Sequence, residues 1–592
     1  MSQDRNRIAS AILFLIAIAV PAPAQAAPDK LDRALRHAVD SSTQSQPVII
    51  RAKAGQIAAV RGWLKAHADA IQSEQTAINA LTTTVSIDHL NQLASLIATD
   101  RLSFDAPVTV FGAPQAPSAP AATVLRTTLG LTSTSATGRG VGVAIIDTGV
   151  QPLTDFQGRY TAFYDFVKAG GAFGFGYDDN GHGTHVAGLI ASNGSLGSAY
   201  TGIAPNARII VMKVLDSTGS GKTSDVINAI TFATANKNLL GIDIINLSLG
   251  HPIYESTATD PLVQAIEAAS SAGIIVVAAA GNIGVNPTTG QPGYAGITSP
   301  GNAPSAITVG ASDHANTVAR GDDRVMSYSS AGPTWYDALP KPDLVAPGQH
   351  LVSDATPKEY LYQAYPQFRV DSNHIMLSGT SMSAGVTSGA LAVILEANRT
   401  ANGYPAHPSL TPNAAKAILQ YTAIPLQDDT GANYDWLHQG AGELNVGGAA
   451  ALAASIDASA LVGSWWLTSG VNTCTTIGGQ DLSWSQNIVW GTNIVWGTSV
   501  FTNQPAWAPN IVWGANIVWG SNIAWGTNIV WGSNIVWGSN IVWGTALVGT
   551  TDGQNIVWGS AGPDANSTAW GTLSSTNIVW GSNIVWGSVI LQ

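Results

Sequence analysis

The middle of this sequence predicts an α/β fold, a mostly parallel sheet with helices on both faces, on three observations. Short apolar runs at residues 142–146, 208–213, 242–246, 274–279 and 306–309 alternate with helical patterns at 183–191, 223–236, 261–272, 381–398 and 412–421. The strand-length runs are continuously apolar, as strands covered on both faces must be. Asp147, Asn246 and Asn282 fall at or just past strand ends, where open parallel sheets place their sites. A small α+β segment precedes this region, and a β-rich repeat tail follows it.

The 592 residues suffice for three or four domains. A net charge of −12 argues against nucleic acid as a partner. The single cysteine, Cys474, excludes an intramolecular disulfide and a cysteine-rich metal site. Residues 1–26 read as an export signal: Arg5 and Arg7, an apolar run over 8–20, then the small-x-small site Ala24-Gln25-Ala26. The run is shorter than the about 20 residues that span a bilayer, and no later stretch is long and apolar enough to do so. The expected location is therefore outside the cytoplasm: extracellular, periplasmic or on the cell surface.

Residues 27–112 read as a compact unit. Strands are expected at 47–52, within 76–87 and at 102–111, and helices at 55–67 and 89–98. The first helix carries Ile57, Val60, Trp63 and Leu64 on one side. Residues 113–122 (APQAPSAPAA) are Pro/Ala-rich and read as an exposed linker, in or near which the chain is expected to be cut.

Three segments carry matching chemistry. Ser378-Gly379-Thr380-Ser381-Met382-Ser383-Ala384 holds one serine in a small-residue turn before a long apolar run. This is how a nucleophile is presented at a helix N-terminus, beside unpaired N–H groups and a partial positive charge. Val143-Ala144-Ile145-Ile146-Asp147 is an apolar strand ending in a carboxylate. Asn180-Gly181-His182-Gly183-Thr184-His185 is a Gly-rich loop running into a helix, with a histidine at its exposed mouth. A serine that attacks a carbonyl needs a base, and the base needs a carboxylate to fix its tautomer. In the order Asp, His, Ser, these blocks resemble the subtilisin-like serine proteases (subtilases) over residues 123–452.

The resemblance implies a peptidase domain over 123–452 that hydrolyses polypeptides through an acyl-enzyme. Ser381 would be the nucleophile, His182 the base, Asp147 the orienting carboxylate and Asn282 an oxyanion donor. His185 would be a packed histidine one turn on. Ser248, Leu249, Gly250, Ala280 and Gly281 would bind substrate in a roomy, uncharged pocket that prefers apolar side chains. Residues 27–112 would be the domain's own inhibitory pro-segment, making the chain a self-processing zymogen. The chemistry requires no cofactor. A structural calcium ion is left open, with Asp155 and Asp165 as loose candidates. Gly385 stands where the family places a proline. Gly219-Ser220-Gly221-Lys222-Thr223 ends like a phosphate-binding loop, but Asp216 stands where that pattern needs glycine. It reads instead as a loop opening the next helix.

Residues 453–592 read as a linker and a tail repeating Asn-Ile-Val-Trp-Gly-Ser/Thr, with consecutive copies over 510–545. An even period suits β structure, because each copy presents the same face. Two-residue hairpins, a β-solenoid and a sticky low-complexity tail all fit, and the solenoid is the preferred reading. Glycan binding and self-association are both open for the tail. A scaffold built around it, with an inactive or self-maturing peptidase, is the rival to an active protease.

Overall fold

The computed structural model describes residues 30–111, 124–168, 170–285, 292–461, 464–490, 493–496 and 501, and short strand segments at 530–531, 541–546, 548–549, 556–561, 569–570 and 579–580. The signal, the 113–122 linker and most of the repeat lie outside these residues.

Residues 30–111 form α1 (Arg33–Ser41), β1 (Gln46–Ala52), α2 (Ile57–Ala66), β2 (Ile71–Gln75), β3 (Ala80–Val85), α3 (Ile87–Ser95), β4 (Thr99–Phe104) and β5 (Pro107–Val110). The first four strands make an antiparallel sheet in the order β2-β3-β1-β4. Leu35, Val60, Leu64, Leu90 and Leu93 fill the space between that sheet and its helices. The opposite face contributes Ile49 and Ala80, with Ile78, to a second cluster shared with the central region.

The central region continues with α4 (Leu125–Thr128), β6 (Gly142–Asp147), β7 (Tyr160–Asp165), β8 (Ala172–Phe173), α5 (His182–Ala191), β9 (Arg208–Lys213), β10 (Ser220–Lys222), α6 (Thr223–Ala235) and α7 (Lys237–Leu240). Next come β11 (Ile244–Leu247), β12 (Leu249–Gly250), α8 (Pro261–Ser271), β13 (Ile275–Ala279), β14 (Gly293–Tyr294), β15 (Ile307–Asp313), β16 (Arg324–Val325) and β17 (Leu344–Pro347). Then follow β18 (Leu351–Asp354), α9 (Tyr360–Ala364), β19 (His374–Leu377), α10 (Thr380–Asn402), α11 (Pro412–Thr422), α12 (Trp436–Gln439) and α13 (Val446–Ala454).

The main sheet runs β16-β15-β13-β11-β6-β9-β7-β8, with β17 also beside β15. Every pairing from β7 through β9, β6, β11, β13 and β15 to β17 is parallel. Successive residues of β6 enter different cores. Val143 and Ile145 join the cluster containing α5 and α10 residues, while Ala144 and Ile146 join the one containing α6 and α8 residues. That is the period-two alternation of a strand covered on both faces.

Helix starts follow local sequence. Asp260 caps α8 by accepting from Leu262 N and Val263 N, and Thr411 caps α11 by accepting from Ala414 N; each precedes a proline at the first helical position. The stretch 220–222, read from sequence as a loop, is a strand, because β5 lies beside it. Helix α10 runs through Gly385 unbroken. Past α13, Ile456, Trp466, Trp484 and Ile488 are buried in the same core as α10 and α11. The repeat segments pair in both senses. Asn487–Trp490 lies antiparallel to Asn493–Trp496, whereas Ile541–Ala546 lies parallel to Ile556–Ala561, with Trp543 opposite Trp558.

Candidate active site

Asp147 closes β6 at the carboxyl edge of the sheet, and nothing in its strand is exposed. Its Oδ1 accepts from Thr148 N at 2.7 Å and lies 2.8 Å from His182 Nδ1. His182 opens α5 directly behind Gly181, whose φ of +106° suits glycine. Gly183 is required by close approach, since a Cβ there would lie 2.0 Å from the Gly149 carbonyl oxygen. The loop before the helix is held by Asp178. Its Oδ1 accepts from Asn180 N and Gly181 N, and its Oδ2 from Thr184 N and Thr184 Oγ1. Burial raises the Asp178 carboxyl above its ordinary pKa.

The sequence places His182 at an exposed mouth; the structure buries it completely, because the carboxylate it meets is itself at the enclosed end of β6. Its Nε2 makes no hydrogen bond. His185, one turn on, bonds Leu351 O through Nε2 at 3.0 Å, and burial pushes its pKa down to about 3. It is a neutral packing residue.

Ser381 sits in the first turn of α10, behind Gly379 at φ +150°. Its Oγ donates to the Ser248 carbonyl at 3.0 Å. In return Ser248 Oγ donates to the Ser381 carbonyl at 3.0 Å and accepts from Asn246 Nδ2 at 2.9 Å. Asn246 Oδ1 accepts from Ser388 Oγ at 2.9 Å, which ties the end of β11 to α10. Helices α5 and α10 meet closely one turn beyond His182 and Ser381: a Cβ at Gly385 would lie 3.4 Å from Val186 Cγ1. The two helix N-termini therefore converge on the end of β6.

Asn282 follows β13. Its Oδ1 accepts from Thr380 N at 3.1 Å and Thr380 Oγ1 at 3.0 Å, and its Nδ2 donates to the Phe111 carbonyl at 2.7 Å. Strand β12, which contains Leu249 and Gly250, pairs antiparallel with β5, and β10 pairs with the other edge of β5. Ala280 and Gly281 are buried just past β13, and Gly281 N donates to Thr380 Oγ1 at 3.2 Å.

Sequence reasoning missed Thr380, which fixes the Asn282 amide, and Lys213, whose buried Nζ donates to Thr148 O and Asp179 Oδ1. Lys213 had a signal: like Asp147, it is a charge closing an apolar strand. Among the described residues no group of three or more His, Cys, Asp or Glu could hold a metal ion. Asp155 accepts from Ser192 Oγ and Leu196 N, and Asp165 from Tyr177 OH, Val167 N and Lys168 N. Protein donors thus already engage oxygens of both carboxylates.

A family model described as the Subtilase family matches residues 138–443. The chain is 40% identical over 315 residues to "Serine protease AprX" of Bacillus subtilis (strain 168), covering 52% of this chain and 66% of that protein. It is 35% identical over 321 residues to "Subtilisin" of Bacillus pumilus, covering 53% of this chain and 92% of that one. The crystal structure of fervidolysin from Fervidobacterium pennivorans shares the fold, with a TM-score of 0.52 at 21% identity, over 69% of this chain and 61% of that one. The chain thus spans just under two thirds of the length of AprX. With the family match spanning the strands and helices that carry Asp147, His182, Asn282 and Ser381, this chain belongs to the subtilase family of subtilisin-like serine proteases.

Proposed function

We propose that this protein is an exported serine endopeptidase, made as a zymogen, that cuts polypeptides with Asp147, His182 and Ser381. The observation that carries the reading is the buried 2.8 Å contact between Asp147 and His182 Nδ1, which leaves Nε2 without a partner. A ring nitrogen fixed from behind by a carboxylate, with its other nitrogen unengaged, is set to take a hydroxyl proton.

In the reaction, Ser381 Oγ turns from the Ser248 carbonyl toward His182 Nε2, gives up its proton there and attacks the substrate carbonyl carbon. Negative charge builds on that carbonyl oxygen. Asn282 Nδ2 receives it, held in aim because Thr380 fixes the far end of the amide. His182 then passes its proton to the leaving amine, and water releases the acyl group by the same route. Substrate binds in extended form between β10 and β12, adding main-chain hydrogen bonds along both edges. Residues 27–112 act as the inhibitor until removed, since β5 lies in that place. Residues 1–26 direct export.

The test compares wild type with Ser381→Ala for labelling by a fluorophosphonate and for hydrolysis of an unfolded protein. Label and turnover in wild type alone are expected. Folded wild-type protein that neither labels nor hydrolyses overturns the reading.

A further inference from the structure

We propose that Glu359 is a positioning residue for the reaction: seated as the uncharged acid against Gly181 and beside Asp178, it holds the loop that carries His182. The proposal rests on the catalytic reading above and adds a residue that acts on the base through its loop.

The loop from Asp178 to His182 is braced by two elements besides its own bonds. Just past β6, Thr148 Oγ1 accepts from Gly183 N at 2.9 Å. The start of α9 supplies the second brace, because the first amides of a helix have no partner within it. Tyr360 N donates to Asp179 O at 3.1 Å, and Leu361 N donates to Asn180 O at 2.9 Å. Glu359, immediately before them, is fully buried, and its Oε2 accepts from Thr356 N at 2.8 Å. A Cβ at Gly181 would lie 3.0 Å from Glu359 Cβ and 3.0 Å from its Oε2. The Glu359 side chain thus fills the space beside the residue that directly precedes the base.

Two carboxyl groups share this enclosure, and their surroundings differ. Asp178 accepts four hydrogen bonds and faces the Lys213 cation. Glu359 has the Thr356 amide and the Thr184 hydroxyl beside it, while its Oε1 makes no hydrogen bond. The charged groups that face it are Asp178 from the loop and Asp354 from β18, both carboxyls. Burial first, and then the Asp178 charge, raise its own carboxyl well above the ordinary glutamate range. Of two such neighbours, the one with the donors and the cation carries the charge, and the other keeps its proton.

The sign of the pH dependence follows. An acid whose pKa is raised in the seated state favours seating fully below its ordinary value, and that preference is lost as pH rises through the raised one. Ionised, Glu359 repels Asp178 and draws water. The start of α9 then lifts from Asp179 and Asn180, and the loop no longer fixes His182.

The full chain is expressed as wild type, Glu359→Gln and Glu359→Ala. Each is compared between pH 6 and pH 10 for kcat and KM on a short peptide, for the rate of fluorophosphonate labelling, and for melting temperature. Glutamine keeps the shape of the side chain and carries no charge over this range. Glu359→Ala should lower kcat and the labelling rate at pH 7 by about tenfold to a hundredfold with KM little changed, the loss expected of a displaced base. Glu359→Gln should restore most of that loss at pH 7 and hold it to pH 10, where wild type falls below this variant. A Glu359→Gln profile that falls with pH as wild type does, or Glu359→Ala with wild-type kcat, overturns the proposal. So does a loss carried by KM or by melting temperature alone, which makes Glu359 merely structural. If Glu359→Ala does not fold, the two remaining profiles decide: coincident ones overturn the proposal and a flatter Glu359→Gln profile supports it. Absence of label and turnover in folded wild type overturns the catalytic reading itself, and this proposal with it.

Discussion

The amide of Asn282 is held at both ends: Oδ1 by Thr380, Nδ2 on the Phe111 carbonyl. Asn282→Ala removes the donor without touching the Asp147–His182 contact, so kcat should fall by about 10²–10³ with KM little changed. Steady-state kinetics with a melting curve check this; an equal loss carried by KM would mean that the residue only binds substrate. At this scale much of the site was legible in sequence. Asp147, His182, Asn282 and Ser381 each stand at or just past a strand end or behind a glycine at a helix start, but it is the resemblance of the blocks taken together to the subtilases that singles them out. Thr380 and Lys213 were not legible, because their importance lies in contacts with residues far along the chain. A threonine next to a serine in a small-residue turn carries no such mark.

Between elements, the contact that matters is the one joining residues 30–111 to the rest. Phe104 meets Tyr254 edge to face, Arg101 pairs with Glu255 at 2.9 Å, and Arg33 N donates to Tyr254 O at 3.1 Å. Asp32 lies buried within this junction. Burial first, and then the Glu255 charge across the junction, push its carboxyl from an ordinary 3.8 up to about 7. An acid with a raised pKa in the docked state holds its proton more tightly there. Docking is therefore fully favoured below the ordinary value and weakens as pH climbs through about 7. In matured protein the cleaved N-terminal unit should co-elute with the peptidase at pH 5 and separate increasingly toward pH 8. Asp32→Asn should flatten that dependence; unchanged pH dependence in this variant would remove Asp32 from the account.

The same scale shows what a sequence conceals. Strand β9 was found at its true bounds, because its buried apolar run is self-evident. Strand β10, three residues of Ser, Gly and Lys, exists only because β5 lies beside it, and no local pattern announces a partner so far upstream.

Over the whole molecule, the folded body extends well beyond α13. Trp484 Nε1 donates to Thr475 Oγ1 at 2.7 Å, and its ring meets Tyr421 edge to face. Trp466 and Ile488 are buried in the same core. A chain ending at residue 452 should lose these and melt well below wild type. Removing two such aromatic side chains alone exposes a cavity of the kind that costs about 3–5 kcal/mol per residue. A chain ending at residue 501 keeps that core, losing only contacts such as the pairing of Gly293–Tyr294 with Ala569–Trp570, and should melt well above the shorter chain. Calorimetry on both truncations tests this, and equal stability would place these residues outside the cooperative unit.

The clasp of β5 between β10 and β12 has a kinetic consequence. Strand β5 precedes in the chain every element of the cleft that holds it. Ser381 is the last of the proposed catalytic residues to be made, so competence arrives only after the strand seated in the cleft is already in place. The two are tethered, which turns an encounter between molecules into an event within one molecule. The half-time of maturation should therefore stay constant when the refolding protein is diluted over several decades. A half-time that lengthens in proportion to dilution would mean that neighbouring molecules do the cutting, and that the clasp holds the strand without presenting it.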